Sequence, residues 1–349
     1  SPVLPFKLTY FNLTKRMHGV KRTRINPQVA EARRSKELIN IESYVSLQED
    51  VMTRRRLHDF SSEALGRTTD LLDRNPEFYT VWNYRRHILL RGLFPNSHVL
   101  NEIVQSLSTE LKLTTAYLRV HPKVYWIWNH RKWCLESVPL GPDGTEGWRN
   151  EFWKIELTLV EKMHDADSRN FHAWGYRRYV LANLPQSFTP KRTAMDELKY
   201  TQKKIEANFS NFSAWHCRTK ILEGIWEGME ADDVEWAKNK EFELVTQALW
   251  TDPGDQSGWL YHRWLMGSDP SNETLRREMT SIRELHEMEP DSKWCMHALA
   301  QYALQLSRSP STSADGSRQS RDEARGLLKR MEEVDIDRKQ RYHDMAKEC

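Results

Sequence analysis

A chain of 349 residues is long enough to bury a sizeable core, but 52 basic residues against 49 acidic ones leave a net charge of only +3, which gives no support to a nucleic-acid footprint. No run approaches the roughly 18 consecutive apolar residues of a membrane-spanning helix. The four cysteines (Cys134, Cys217, Cys295 and Cys349) lie far apart, with no Cys-x-x-Cys and no histidine at metal-ligand spacing, so reduced thiols in a cytoplasmic setting are expected.

In chain order, residues 1–26 carry Lys7, Lys15, Arg16, Lys21, Arg22 and Arg24 and no acid. They read as a flexible basic tail. Pro27 to Val51 is patterned as a helix, with Val29, Leu38, Ile41, Val45 and Leu47 among charges. Arg54 to Asp73 reads as a second helix, stopped by Asn75-Pro76.

From Asn75 onward one unit recurs. Its copies run from Asn75 to Trp82, His121 to Trp128, Asp167 to Trp174, Asn208 to Trp215 and Asp252 to Trp259, so the tryptophans stand 46, 46, 41 and 44 residues apart. Periods of this size mark stacked helix pairs, each burying its apolar face against its neighbours. An aromatic residue sits three before the Trp (Tyr79, Tyr125, Phe171, Phe212; Gln256 departs), and an apolar one seven after it (Leu89, Leu135, Leu181, Leu222, Met266). These offsets are expected on one buried helical face. Arginine follows at plus three (Arg85, Arg131, Arg177, Arg218) and at plus four in the fifth copy (Arg263). A residue needed five times reads as scaffold, tying the acidic or amide start of a neighbouring repeat or stacking on an aromatic ring.

Each Trp helix is expected to follow a more variable partner helix: Ser97 to Arg119, Trp148 to His164, Arg192 to Ala207 and Asp233 to Trp250. Asn, Asp and Ser at minus seven to minus four are natural helix caps. A sixth, degenerate unit is expected at Glu289 to Trp294, Ser307 to Ser320 is Ser-rich and reads as a loop, and Arg321 to Cys349 reads as one charged helix. The expected organisation is all-α: a tail over 1–26, an α-α superhelix of hairpins over 27–306, a loop over 307–320 and a helix over 321–349.

No Gly-rich phosphate loop, His-Glu-x-x-His helix, nucleophile elbow or diagnostic carboxylate pair occurs. From the residues alone the chain is a helical repeat protein whose inner face binds something. An alternative at this level is a tetratricopeptide-like adaptor, but that unit has a period near 34.

The pattern Pro-x-x-Tyr-x-x-Trp-x-x-Arg at these periods resembles the α-subunit repeat of protein prenyltransferases, across Asn75 to Met266. The segments from Asn208 to His216 and from Asp252 to Trp264 resemble the Rab geranylgeranyltransferase (type II) α subunits more than the α subunit shared by farnesyltransferase and type I geranylgeranyltransferase, which is the alternative within the family. Met17-His18-Gly19 looks like the start of type II subunits, and the length resembles the short form without immunoglobulin-like and leucine-rich domains.

The resemblance implies a crescent of hairpins around a β subunit that holds zinc and the lipid pocket, with geranylgeranyl passing from its diphosphate to cysteines of a Rab GTPase presented by Rab escort protein. It assigns Lys123 and Tyr125, in Pro122-Lys-Val-Tyr125, to the diphosphate end of the site, and Arg169, Asn170 and His172 to the region facing the β subunit. Phe171 stands where the family has tyrosine. His18 is a remote candidate metal ligand. The equivalents of Lys123 in the other repeats are Glu77, Arg169, Ser210 and Gly254.

Overall fold

A computed structural model describes residues 26–96 and 100–349. The proposed tail and His18 lie outside the described residues, except for Asn26. Among the described residues the regular structure is entirely helical.

Helix α1 (Pro27–Arg56) is followed by three hairpins: α2 (Ser62–Arg74) with α3 (Tyr79–Ile88), α4 (Leu100–Val120) with α5 (Tyr125–Glu136), and α6 (Gly147–Ala166) with α7 (Phe171–Ala182). Three more follow: α8 (Ala194–Ala207) with α9 (Phe212–Trp226), α10 (Ala231–Thr251) with α11 (Gln256–Met266), and α12 (Asn272–Met288) with α13 (Lys293–Arg308). The chain closes with α14 (Ala314–Val334) and α15 (Lys339–Ala346). One repeat domain is expected over 27–306; by their contacts the helices group into two units, up to Lys191 and from Arg192. In the first, α3 packs on α5 and α5 on α7. In the second, α9 packs on α11, α11 on α13, and α14 on both α13 and α15.

The repeated tryptophan does two things. Its ring is buried in every copy, Trp82 and Trp215 almost completely. Its indole N–H donates to the carbonyl six residues back: Pro76 (2.8 Å), Pro122 (3.0 Å), Ser168 (2.9 Å), Phe209 (2.8 Å) and Pro253 (2.9 Å). The loop entering each second helix is thereby tied to that helix's core. The residue at minus seven also shapes this loop, for Asn75, Asp167, Asn208 and Asp252 each accept from the backbone N–H two residues on.

The arginine at plus three is the second repeated device, and it ties the middle of the next repeat, not its start. Arg85 makes a two-pronged contact with Glu110 of α4 (2.6 and 2.7 Å) and reaches back to Thr68, Thr69 and the Leu65 carbonyl of α2. Arg131 repeats this with Glu156 of α6 and with Thr114, Thr115 and the Leu111 carbonyl of α4. Arg218 does so with Glu241 of α10 and with Thr201 and the Leu198 carbonyl of α8. Each glutamate also takes a bond from the second helix of its own hairpin: His130 to Glu110 (2.9 Å), Tyr176 to Glu156 (2.7 Å), Tyr261 to Glu241 (2.6 Å). The fifth copy substitutes His262, bonded to Glu278 (3.0 Å) and to Tyr302 (2.9 Å). Ion pairs this buried gain little over an apolar replacement, but losing one partner strands a charge in the core. Their effect is to specify which hairpin follows which, and in what register.

Burial pushes the Glu110 carboxyl up, but the bonds from His130 and Arg85 outweigh it and take it down to about 2. His130 is held near 4, chiefly by burial, with Glu110 opposing. It is therefore neutral at pH 7, and its other nitrogen accepts from Arg86 (3.3 Å).

Several expected boundaries move. Helix α1 runs on through Arg56, and α2 begins only at Ser62, so Arg54 is not in the second helix. Arg54 instead binds Asp50, Asp59 and Glu63 across the turn, where His58 has φ 56° and Ser61 caps α2. This turn lies against the π-helical end of α3 (Leu89–Leu93), so closely that a Cβ on Gly92 would collide with the Phe60 carbonyl oxygen.

The Ser307 to Ser320 loop is also corrected. Only the stretch from Ser309 to Ser313 leaves helix, for Ser307 bonds the Leu304 carbonyl, Ser313 caps α14, and Ser317 bonds the Ser307 carbonyl. The expected final helix breaks at Asp335, whose carboxylate accepts from Tyr342 (2.6 Å). In the sixth unit α13 starts at Lys293, so Met296, fully buried, takes the slot that the tryptophan fills elsewhere, and Trp294 is half-buried.

Candidate functional site

The aromatic residues three before each Trp are not part of the buried stripe. Tyr79, Tyr125, Phe171 and Phe212 are 54, 59, 69 and 49% exposed. Each is the first residue of its helix, and since Cα–Cβ bonds tilt toward the helix N-terminus, its side chain leans out past the hairpin. In the first unit this makes a rim along the starts of α3, α5 and α7.

Rings cluster on that rim. Tyr79 lies 5.3 Å from Trp126, Tyr125 meets Trp126 and His172 edge-on at 5.6 and 6.1 Å, and Phe171 lies 4.0 Å from His172. Lys123, 68% exposed at the side chain, stands just before α5, with its Nζ 3.4 Å from the Asp167 carboxylate at the start of the third repeat. His172 is half-buried, and its pKa is lowered by that burial, with Glu77 opposing and the Lys123 charge adding to the fall. A cation, a phenol and a neutral imidazole thus share one surface. Chemically, it can stabilise an anion at its edge while presenting apolar rings to a partner.

Of the other expected site residues, Arg169 is exposed, its backbone N–H bonded to Asp167 (3.1 Å). Asn170 departs from expectation. It is 1% exposed, its side-chain oxygen caps α7 at His172 and Ala173, and its amide donates to the Pro122 carbonyl (3.1 Å). It therefore anchors the Lys123 loop to the third repeat and offers no free group at the surface. Phe171 carries no hydroxyl but keeps the exposed ring. Sequence reasoning missed Asp167 as the partner of Lys123, and Tyr79, Trp126 and Glu77 as neighbours. The signal was available, since these residues stand at or beside equivalent positions of consecutive repeats. Among the described residues no group of His, Cys, Asp or Glu is arranged to hold a metal ion. Nor is any described helix long and apolar enough to cross a membrane.

The protein prenyltransferase alpha subunit repeat matches residues 61–92, 107–138, 153–184, 194–225 and 239–273, one match for each hairpin from α2–α3 to α10–α11. The geranylgeranyl transferase type-2 subunit alpha of Schizosaccharomyces pombe is 39% identical over 94% of this chain and 97% of that protein. The subunit of the same name from Saccharomyces cerevisiae is 32% identical over 78% of this chain and 79% of its own length, and that of Homo sapiens 34% identical over 74% of this chain and 43% of its own length. Candida albicans protein geranylgeranyltransferase-I complexed with GGPP is a structural match, with a TM-score of 0.65 and 19% identity over 88% of this chain and 90% of that one, a likeness of fold. The chain belongs to the protein prenyltransferase alpha subunits. Within them it is similar to the type-2 geranylgeranyl transferase alpha subunits, which makes it one subunit of a transferase.

Proposed function

We propose that this chain is the α subunit of a heterodimeric Rab geranylgeranyltransferase acting in the cytoplasm. With its β subunit it transfers geranylgeranyl from geranylgeranyl diphosphate to C-terminal cysteines of Rab GTPases presented by Rab escort protein. Zinc belongs to the β subunit in this reading. Two features support a second polypeptide: the exposed rings of the rim, and an apolar stripe on α1 where Leu38, Ile41 and Val45 are 54, 52 and 43% exposed.

The observation that carries the site is Lys123. Alone among the five equivalent positions it combines a long, exposed cation with an aromatic neighbour two residues on and a carboxylate from the next repeat at 3.4 Å. When diphosphate leaves the lipid, negative charge builds on its oxygens. The Lys123 ammonium stabilises that charge at the mouth of the partner's pocket, and the Tyr125 hydroxyl donates beside it. Asn170 sets the position of both through the Pro122 carbonyl.

Lys123→Ala, assayed with the β subunit, is expected to slow transfer by roughly 10²-fold, about 2 to 3 kcal/mol of barrier. An unchanged turnover number would reject the assignment. Co-expression with each kind of β subunit checks the partner, and a complex that prenylates only escort-bound Rab supports the reading.

A further inference from the structure

Repeat five breaks the pattern in a way that the acid contacts explain only in part. Its plus-three slot holds His262, which takes the contact to Glu278, and the arginine stands one place further on. One residue along a helix turns a side chain by roughly 100°, so Arg263 leaves the interior and is exposed. There it lines three adjoining cavities of about 280, 310 and 30 Å³ among the helices of the second unit, and His297 lines all three.

The largest concentration of charge lies in the first of these. Lys293 enters from the start of α13, and Arg338 and Arg341 enter from the C-terminal turn and α15. Arg338 is paired with Asp335 (3.3 Å), and Arg308 at the edge of the group with Glu348 (2.8 Å). Among the described residues no carboxylate comes within 4.0 Å of the side-chain nitrogens of Arg263, Lys293 or Arg341. Asp335 faces Lys293 from beyond that distance, and the Lys293 charge lowers its carboxyl more than the Arg338 charge does, so Lys293 is partly compensated while Arg263 and Arg341 are not paired with an acid among the described residues. His297 is held down near 4 by its burial and then by Arg341, Arg263 and Arg338, so three guanidinium groups converge on one neutral imidazole. Like charges gathered this way raise the energy of the fold unless a counter-charge arrives.

We propose that this cluster is a binding site for a phosphate-class oxyanion, gripped by Arg263, Arg341 and Lys293, with room for a small organic group against Trp294 and Tyr342. Guanidinium forks match phosphate oxygens two at a time, and the aromatic walls take an apolar or planar substituent. The inference is independent of the role given to Lys123, which lies in the other unit. A free phosphorylated small molecule and a phosphorylated lipid headgroup offer the same chemistry.

The test is thermal unfolding of the full chain with inorganic pyrophosphate, against sodium chloride of equal ionic strength, alongside flotation with vesicles of phosphatidylcholine containing phosphatidylinositol 4,5-bisphosphate. Pyrophosphate is expected to raise the midpoint by a few degrees. The doubly substituted chain, Arg263→Ala with Arg341→Ala, is expected to lose that shift and, without ligand, to melt no lower than the parent, because the repulsion is gone. Arg263→Lys with Arg341→Lys should keep part of the shift. Vesicle binding that is lost with the same substitutions assigns a headgroup; a pyrophosphate shift without vesicle binding assigns a soluble ligand. No shift beyond the chloride control, a shift that survives the double alanine substitution, or a lower melting point without ligand each overturns the proposal.

Discussion

The interior and the rim of the first unit are built on the same helices and obey opposite rules. Inside, Arg85, Glu110 and His130, and one repeat later Arg131, Glu156 and Tyr176, are buried and bonded to one another. At the rim, Lys123, Tyr125 and Phe171 stand in solvent, held by one ion pair and a few ring edges. The interior repeats because, in the first unit, each hairpin meets the next through the same contact. The rim position varies from Glu77 to Lys123 to Arg169 because nothing in the fold constrains it, and a position free of the fold is where a specific task can be placed.

The sharpest break of this contrast is Glu156→Ala, which leaves the Arg131 guanidinium and the Tyr176 hydroxyl buried without their acceptor. It should cost about 3 to 5 kcal/mol in chemical denaturation, and a loss below about 1 kcal/mol would mean that the contact specifies nothing. Lys123→Ala should show the reverse profile. Beside the slowed transfer given above, its denaturation midpoint should stay within about 0.5 kcal/mol of the parent, as at any exposed site; a large stability loss would move Lys123 into the scaffold.

Trp82→Phe comes next. It keeps most of the buried ring but leaves the Pro76 carbonyl without its donor, and should cost about 1 to 2 kcal/mol by equilibrium unfolding.

The mildest probe is acid. His130 and Glu110 both have folded-state pKa values below their ordinary ones, so the unfolded chain binds more protons and stability rises with pH. Stability should fall from His130 as pH drops from about 6.5 toward 4, and from Glu110 between about 4.5 and 2. His130→Gln should flatten the first interval in a series of melting curves, and an identical slope in parent and variant would remove His130 as its source.

Much of this was legible from residues. The tryptophan period located the five hairpins from α2–α3 to α10–α11, and the plus-three arginine was read as scaffold. The aromatic at minus three was misplaced because periodicity registers a face but not where the helix begins; at a first residue the same face points past the end of the hairpin. Glu110, Glu156 and Glu241 went unseen because their spacing from the arginines, 25, 25 and 23 residues, crosses a loop and a whole helix, and acids among acids carry no local mark. Asn170 looked like a surface residue for the same reason: a buried cap and an exposed ligand share one letter. The serines of 307–320 were counted as loop by composition, whereas their hydroxyls close helix ends.

The arginine-to-glutamate contacts also bear on how such a chain can be altered over time. Because each one spans from one hairpin to the following one within a unit, the hairpins it joins are not self-sufficient blocks: a cut at such a junction leaves a cation on one side and an anion on the other. Duplication or loss of a unit is tolerated only where donor and acceptor are regenerated at the new junction. At the fifth junction histidine holds the acid of the following hairpin in arginine's place, so the junction can be closed by more than one donor.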